Sequence, residues 1–270
     1  MEINLLSRIK REIHGHHIDF LWLIVGVVFL IIVLKNVLNK RNILKTLIVS
    51  IVLLSLPQTR VPIILSGFVI GCLLFGGNFS EKYAYSTYNT AFNIKQNLPI
   101  PNIPSIFLIN YPACFLGYQV FHFLSPNVVI LCTKAAKNFF KPILRGINII
   151  ESNTTSKDNF NRIREEVKKY ISMGYNIVVY PEKDWLNRKN IHSTTKLMQS
   201  GIFQISKDLN IPILPIVISH FNVYCGIIKN RDLYIHVDKQ RVVKNVSEEI
   251  KNVRKLFERK LRKYSFKYYI

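Results

Sequence analysis

The chain has 270 residues, of which 37 are Lys or Arg and 16 are Asp or Glu, giving a formal net charge of +21. A hydrophobic content of 49% excludes a disordered basic tail. The charge excess implies an anionic partner: nucleic acid, an anionic membrane surface or an acidic substrate. Four scattered cysteines (Cys72, Cys114, Cys132 and Cys225), with no Cys-x-x-Cys pair and no zinc-like His spacing, read as buried free thiols in a reducing compartment.

Met1 to Ile18 forms a short basic lead with Arg8, Lys10 and Arg11, followed by His14, His16 and His17. No clustering of carboxylates or cysteines supports a metal on these histidines, so the lead reads as solvated or at headgroup level. Phe20 to Leu34 carries no charge and, extended to Leu38, has about the 20 residues that cross a bilayer core. A signal peptide is the competing reading, but no small-x-small cleavage pattern follows, which favours an uncleaved membrane helix. After Lys35, Lys40, Arg41 and Lys45, Leu44 to Leu56 and Val61 to Gly77 are again apolar, interrupted at Pro57-Gln58-Thr59-Arg60. They form either one broken membrane helix or a re-entrant hairpin. Residues 1–77 are thus expected to anchor the chain in a membrane, by one or two spans or a hairpin. Cations flank the first helix on both sides and give no firm orientation. The free thiols and the charge favour a cytosolic face for the rest, on an intracellular membrane.

Residues 78–104 are polar, aromatic and proline-containing, and read as a linker to a domain at 105–270. Ser105 to Ile109 is expected to be a strand, Cys114 to Leu124 a helix, Asn127 to Cys132 a strand, Lys134 to Leu144 a basic helix and Gly146 to Ile150 a strand. Asp158 to Met173 is a well-marked helix: Phe160, Ile163, Val167, Tyr170 and Ile171 share one face, and Gly174 closes it. Asn176 to Tyr180 is a short β-branched run, and Pro181 ends it and leaves Glu182 at its tip. A polar loop from Lys183 to Thr195 follows, then a helix from Lys196 to Leu209 and a strand from Ile211 to Ile218 bracketed by prolines. Strand, loop, helix, strand is a βαβ unit, and such sheets hold ligands at the carboxyl ends of their strands. Glu182 is therefore either a site residue or the cap of the next turn. Asp232 to Asp238 alternates as a strand. From Glu248 a basic helix carries Ile250, Val253, Leu256, Phe257 and Leu261 on one side, and suits either a membrane surface or packing on the sheet with its cations solvated.

The later blocks resemble the phospholipid/glycerol acyltransferase superfamily, which includes the lysophosphatidic acid acyltransferases. Val178-Val179-Tyr180-Pro181-Glu182 looks like that family's strand ending in Phe-Pro-Glu-Gly. Lys196 to Ile218, with Gly201 in the helix and Ile211-Pro212-Ile213-Leu214-Pro215-Ile216 after it, is similar to its Lys-x-Gly helix and Val-Pro-Ile-Val-Pro-Val strand. Lys134 to Ile150 is similar to its segment ending in Gly-x-Ile-x-Ile-x-Arg. The resemblance covers roughly Ser105 to Leu261. It implies an α/β fold with a mixed, mostly parallel sheet flanked by helices, behind an N-terminal membrane segment. It also implies acyl transfer from acyl-CoA or another thioester to a lysophospholipid or glycerol-phosphate acceptor. No cofactor beyond that co-substrate is expected. The expected partners are membrane lipids and anionic headgroups; nucleic acid is not expected, for want of any recognition motif.

The departures fall on chemistry. The family's base and its orienting carboxylate form a His-x4-Asp pair directly after an asparagine, and here the run is Asn110-Tyr111-Pro112-Ala113-Cys114-Phe115-Leu116. Tyr111 stands for the histidine and Leu116 for the aspartate. A phenol titrates near 10, far from the pH at which an efficient base works. Leucine orients nothing. Cys114 is a nucleophile or a structural thiol, and His122, between Phe121 and Phe123, a base or a core histidine. The arginine expected after the Ile-x-Ile strand falls at Ser152, and the family's Gly-Thr-Arg is Lys183-Asp184-Trp185. Arg188 and Lys189 are the candidates to replace those arginines at a phosphate. The expected site is therefore Asn110, Glu182, Lys183, Arg188 and Lys189 around the altered catalytic block. Two outcomes stay open: an enzyme with a rebuilt site, or an inactive relative that binds lipid or acts as a membrane scaffold.

Overall fold

The computed structural model describes residues 92–110, 127–134, 148–152, 156–182, 198–218 and 232–265, together with single residues outside these stretches. Among the described residues seven strands form one sheet: β1 (Asn93–Gln96), β2 (Ile106–Ile109), β3 (Val128–Thr133), β4 (Asn148–Ser152), β5 (Asn176–Val179), β6 (Ile213–Ile218) and β7 (Asp232–Val237). Their order is β1-β7-β6-β2-β5-β3-β4. β6, β2, β5, β3 and β4 run parallel, β7 lies antiparallel to β6, and β1 pairs parallel with β7. The sheet is therefore mixed and mostly parallel, as expected.

The central strands are apolar on both faces, which marks a sheet covered on both sides. Every residue of β2, β5 and β6 is buried. Pro215 sits inside β6, where a missing N–H would normally break a ladder. It falls at a bulge: Ile216 is opposite Val237, whereas Ile213 is opposite Arg241, so two residues of β6 face three of the neighbouring chain. Its carbonyl still accepts from the Asp238 N–H at 3.0 Å.

Three helices are described within residues 156–265: α1 (Lys157–Ser172), α2 (Gly201–Leu209) and α3 (Val246–Ser265). All three pack on one face of the sheet. Ile163 and Val167 of α1, Ile202, Phe203 and Ile205 of α2, and Val253, Leu256, Phe257 and Leu261 of α3 share a core with Ile106, Leu108, Ile177, Val179, Ile213 and Val217. The β4-α1-β5 and β5-α2-β6 crossovers travel the same way along the sheet, and right-handed crossovers then put both helices on the same face. Ser156 caps α1 by accepting from the Asn159 N–H, and Gly174 ends it at φ +83°. Asn245 opens α3 by accepting from the Glu248 N–H at 3.2 Å. The apolar face expected for the basic helix is the one on the sheet, so that helix packs down and leaves its cations outward.

Two expectations need correction. The helix placed at Lys196 starts at Gly201, because Met198 pairs with Glu182 and the Gln199 N–H donates to the Pro181 carbonyl at 2.7 Å, which holds these residues extended. The stretch read as a linker contains β1, whose exposed Asn93, Lys95 and Gln96 give it no apolar signature. The membrane segment expected at 1–77 lies almost wholly outside the described residues. Among the described residues no helix is long and apolar enough to cross a membrane.

Candidate functional site

The order of the strands reverses on both sides of β5, which leads to β6 in one direction while its neighbours β2 and β3 lead to β3 and β4 in the other. β2 is followed in the chain by β3, on one side of it, while its neighbour β5 is followed by β6, on the other side. Where two adjacent parallel strands send the chain in opposite directions, the crevice at their carboxyl ends is the usual ligand site of an open α/β sheet. Asn110 directly follows β2, and Tyr180, Pro181 and Glu182 directly follow β5. Leu108 and Val179 are register partners, so Asn110 and Glu182 leave the sheet at nearly the same level. The two described members of the expected site thus follow adjacent strand ends at the switch point.

Asn110 is fully buried, and its carboxamide is engaged through both its nitrogen and its oxygen. Its Nδ2 donates to the Ile218 carbonyl at 3.0 Å and its Oδ1 accepts from the Ile218 N–H at 2.7 Å. A carboxamide offers the same donor and acceptor as a peptide group, so Asn110 adds one more rung between β2 and β6. Asn97 does the same for Val237 at the end of β1, at 3.0 and 2.7 Å. At the opposite edge Asn176 accepts from the Ser105 N–H at 3.0 Å and donates to Ser125 at 3.1 Å. Asn110 therefore fixes the floor of the crevice through the backbone.

Glu182 is only 4% exposed. Its antiparallel bridge to Met198, with the neighbouring Gln199–Pro181 hydrogen bond, clamps the two ends of the 183–197 loop together. The clamp also sets the start of α2 at the same edge of the sheet as the crevice. Lys183, Arg188 and Lys189 of that loop lie outside the described residues, as do Tyr111, Cys114, Leu116 and His122. Among the described residues no cluster of His, Cys, Asp or Glu could hold a metal.

Two further groups stand near this end of the sheet. Cys132 in β3 is pushed up to about 11 by burial, with Glu151 adding to the rise and Lys137 opposing it. The Lys137 ammonium reaches the Glu151 carboxylate at 3.0 Å. His236 in β7, opposite Val217, is pushed down to about 4, first by burial and then by Lys260, Arg259 and Lys263 of α3. Sequence spacing gives no hint of this proximity, since β7 and the end of α3 are separate elements that the packing of α3 on the sheet brings near each other.

No protein-family model matches the chain, and no curated protein matches it. Among solved structures it is similar to the crystal structure of the 1-acyl-sn-glycerophosphate (LPA) acyltransferase PlsC from Thermotoga maritima, at 12% identity and a TM-score of 0.49, covering 96% of this chain and 97% of that one.

Proposed function

We propose that the chain is a membrane-bound, acyltransferase-like protein of glycerolipid metabolism whose site is the crevice between the carboxyl ends of β2 and β5. The observation that carries this reading is that Asn110 and Glu182 follow the carboxyl ends of adjacent parallel strands, β2 and β5, from which the chain departs in opposite directions. Glu182 closes the strand block that resembles the acyltransferase superfamily, Asn110 opens the block in which Tyr111 and Leu116 replace that family's pair, and the strand order makes β2 and β5 adjacent. The acceptor is a lysophospholipid or glycerol phosphate, and the donor is acyl-CoA or a similar thioester. In the transfer an acceptor hydroxyl oxygen forms an ester bond to the acyl carbon, the carbon–sulfur bond breaks, and the hydroxyl proton leaves with the thiol. Lys183, Arg188 and Lys189 supply the positive charge for the acceptor phosphate. The N-terminal apolar segments keep the protein at an intracellular membrane with this domain on the cytosolic side.

A second reading is favoured by one observation. Tyr111 and Leu116 stand where the family has its base and orienting carboxylate. In that reading the same crevice holds a lipid without turning it over. The deciding experiment is acyl transfer by the full-length protein in lipid nanodiscs, with labelled acyl-CoA and a panel of lysophospholipids, glycerol 3-phosphate and diacylglycerol. Turnover abolished by Glu182→Ala, Tyr111→Phe or Cys114→Ala establishes an enzyme with a rebuilt site. Absence of turnover on every acceptor, with lysophospholipid binding retained, establishes the lipid-binding relative.

A further inference from the structure

α3 runs alongside β6 in a fixed direction. Its first turn is held at the start of β6, where Arg241 bridges Ile213 and reaches Glu249 at 3.2 Å. Its last turns stand over His236, which is opposite Val217 near the end of β6. The distances agree: the 11 residues from Glu249 to Lys260 rise about 16 Å in a helix, and the 4 from Ile213 to Val217 about 13 Å in a strand. The carboxyl end of α3 therefore lies at the same edge of the sheet as Asn110 and Glu182.

At that edge Arg259 and Lys263 are exposed and Lys260 is half-buried. Among the described residues, the charged groups that act on His236 are these three cations. Arg259 and Lys263 are four residues apart, a spacing at which like charges repel on a helix face. The acidic residues of α3 are Glu248 and Glu249 in its first turn and Glu258. The helix dipole rewards cations in a last turn, but it gives no reason for His236 on a separate strand to sit among them.

We propose that Arg259, Lys260 and Lys263, at the end of α3 beside His236, form an electrostatic dock for an anionic lipid bilayer, which seats the carboxyl edge of the sheet, and with it the mouth of the Asn110–Glu182 crevice, against the headgroups. A bilayer surface is the occupant because the same chain carries uncharged apolar segments at 20–34 and 61–77, flanked by cations, and a net charge of +21. The proposal rests on the proposed function for two premises, that the protein works at a membrane and that its site is the Asn110–Glu182 crevice.

The test uses full-length protein and flotation with vesicles of phosphatidylcholine alone or mixed with phosphatidylserine, without substrate, so that it can fail while acyl transfer or lipid binding stands, and the reverse. The readout is the ratio of partition onto anionic over neutral vesicles, which removes the contribution of the apolar segments. Arg259→Gln/Lys263→Gln lowers this ratio about tenfold or more, and Arg259→Lys/Lys263→Arg keeps it. Two double variants with equal charge loss leave it unchanged: Lys251→Gln/Lys255→Gln, earlier on α3, and Lys168→Gln/Lys169→Gln, at the far end of α1. An unchanged ratio in the first variant overturns the proposal, and so does an equal fall in either control pair. It is also overturned if wild type shows no anionic preference but binds single-stranded RNA through Arg259 and Lys263.

Discussion

The side chain of Asn110 holds the main chain of Ile218 by both its N–H and its C=O, at 2.7 and 3.0 Å, in a fully buried position. Replacing the carboxamide strands two buried backbone groups at once. Asn110→Ala should cost about 2–6 kcal/mol, from about 1–3 kcal/mol for each of the two unsatisfied groups. The equivalent Asn97→Ala, part-buried against Val237, should cost less, because water can reach those groups. Urea unfolding of both variants checks the order. Equal losses would show that burial does not set the difference.

The α1 terminus separates two kinds of strain. Gly174 has φ +83°, yet a Cβ built there meets nothing within 4 Å among the described residues. Gly174→Ala should therefore cost about 1–2 kcal/mol for conformation alone. Gly174→Asn should recover part of that, since Asn tolerates the left-handed region. Thermal melts of both variants decide it, and a loss well above this range would mean that the side chain collides.

Helix α1 and strands β2, β5 and β6 were legible because each announces itself locally. α1 has a capping Ser156, a 3.6-residue apolar spacing and a closing Gly174; the strands are short unbroken apolar runs. β1 was not legible. Asn93-Ile94-Lys95-Gln96 contains one apolar residue, and only pairing with β7 makes it a strand. The late start of α2 has the same cause, since the Glu182–Met198 bridge is a contact across the 183–197 loop. In the site, Glu182 could be found from strand, proline and carboxylate in sequence. The role of Asn110 could not, because its partner Ile218 is 108 residues away. Likewise nothing local ties His236 to Arg259.

Protonation of His236 should weaken the fold in acid. Its folded value near 4 lies below the ordinary 6.5, so between these values the unfolded chain binds the extra proton. The contribution is complete above about 6.5 and is lost as the pH falls towards 4. His236→Gln should flatten that part of the stability profile, read as the shift in urea midpoint between about pH 7 and about pH 5. An unchanged acid slope in the variant would assign the loss to other groups.

Cys132 should be a slow nucleophile. With its thiol held near 11, little thiolate exists at neutral pH. Peptide mapping after iodoacetamide treatment of folded protein should find it unmodified at neutral pH and increasingly labelled as the pH approaches that value. Glu151→Gln removes a group that raises the value, and should speed the labelling. Rapid modification of Cys132 at neutral pH would contradict the burial that sets its value.

The account rests on a lipid site at the carboxyl ends of β2 and β5, whether or not the lipid is turned over. The most direct measurement is photocrosslinking of the full-length protein in nanodiscs with a lysophosphatidic acid that carries a photoreactive acyl chain, followed by peptide mapping. The account predicts adducts in the segments that follow Asn110 and Glu182, competed away by unlabelled lysophosphatidic acid and reduced by Glu182→Ala. Adducts confined to the N-terminal apolar segments, insensitive to competition and to that substitution, would contradict it.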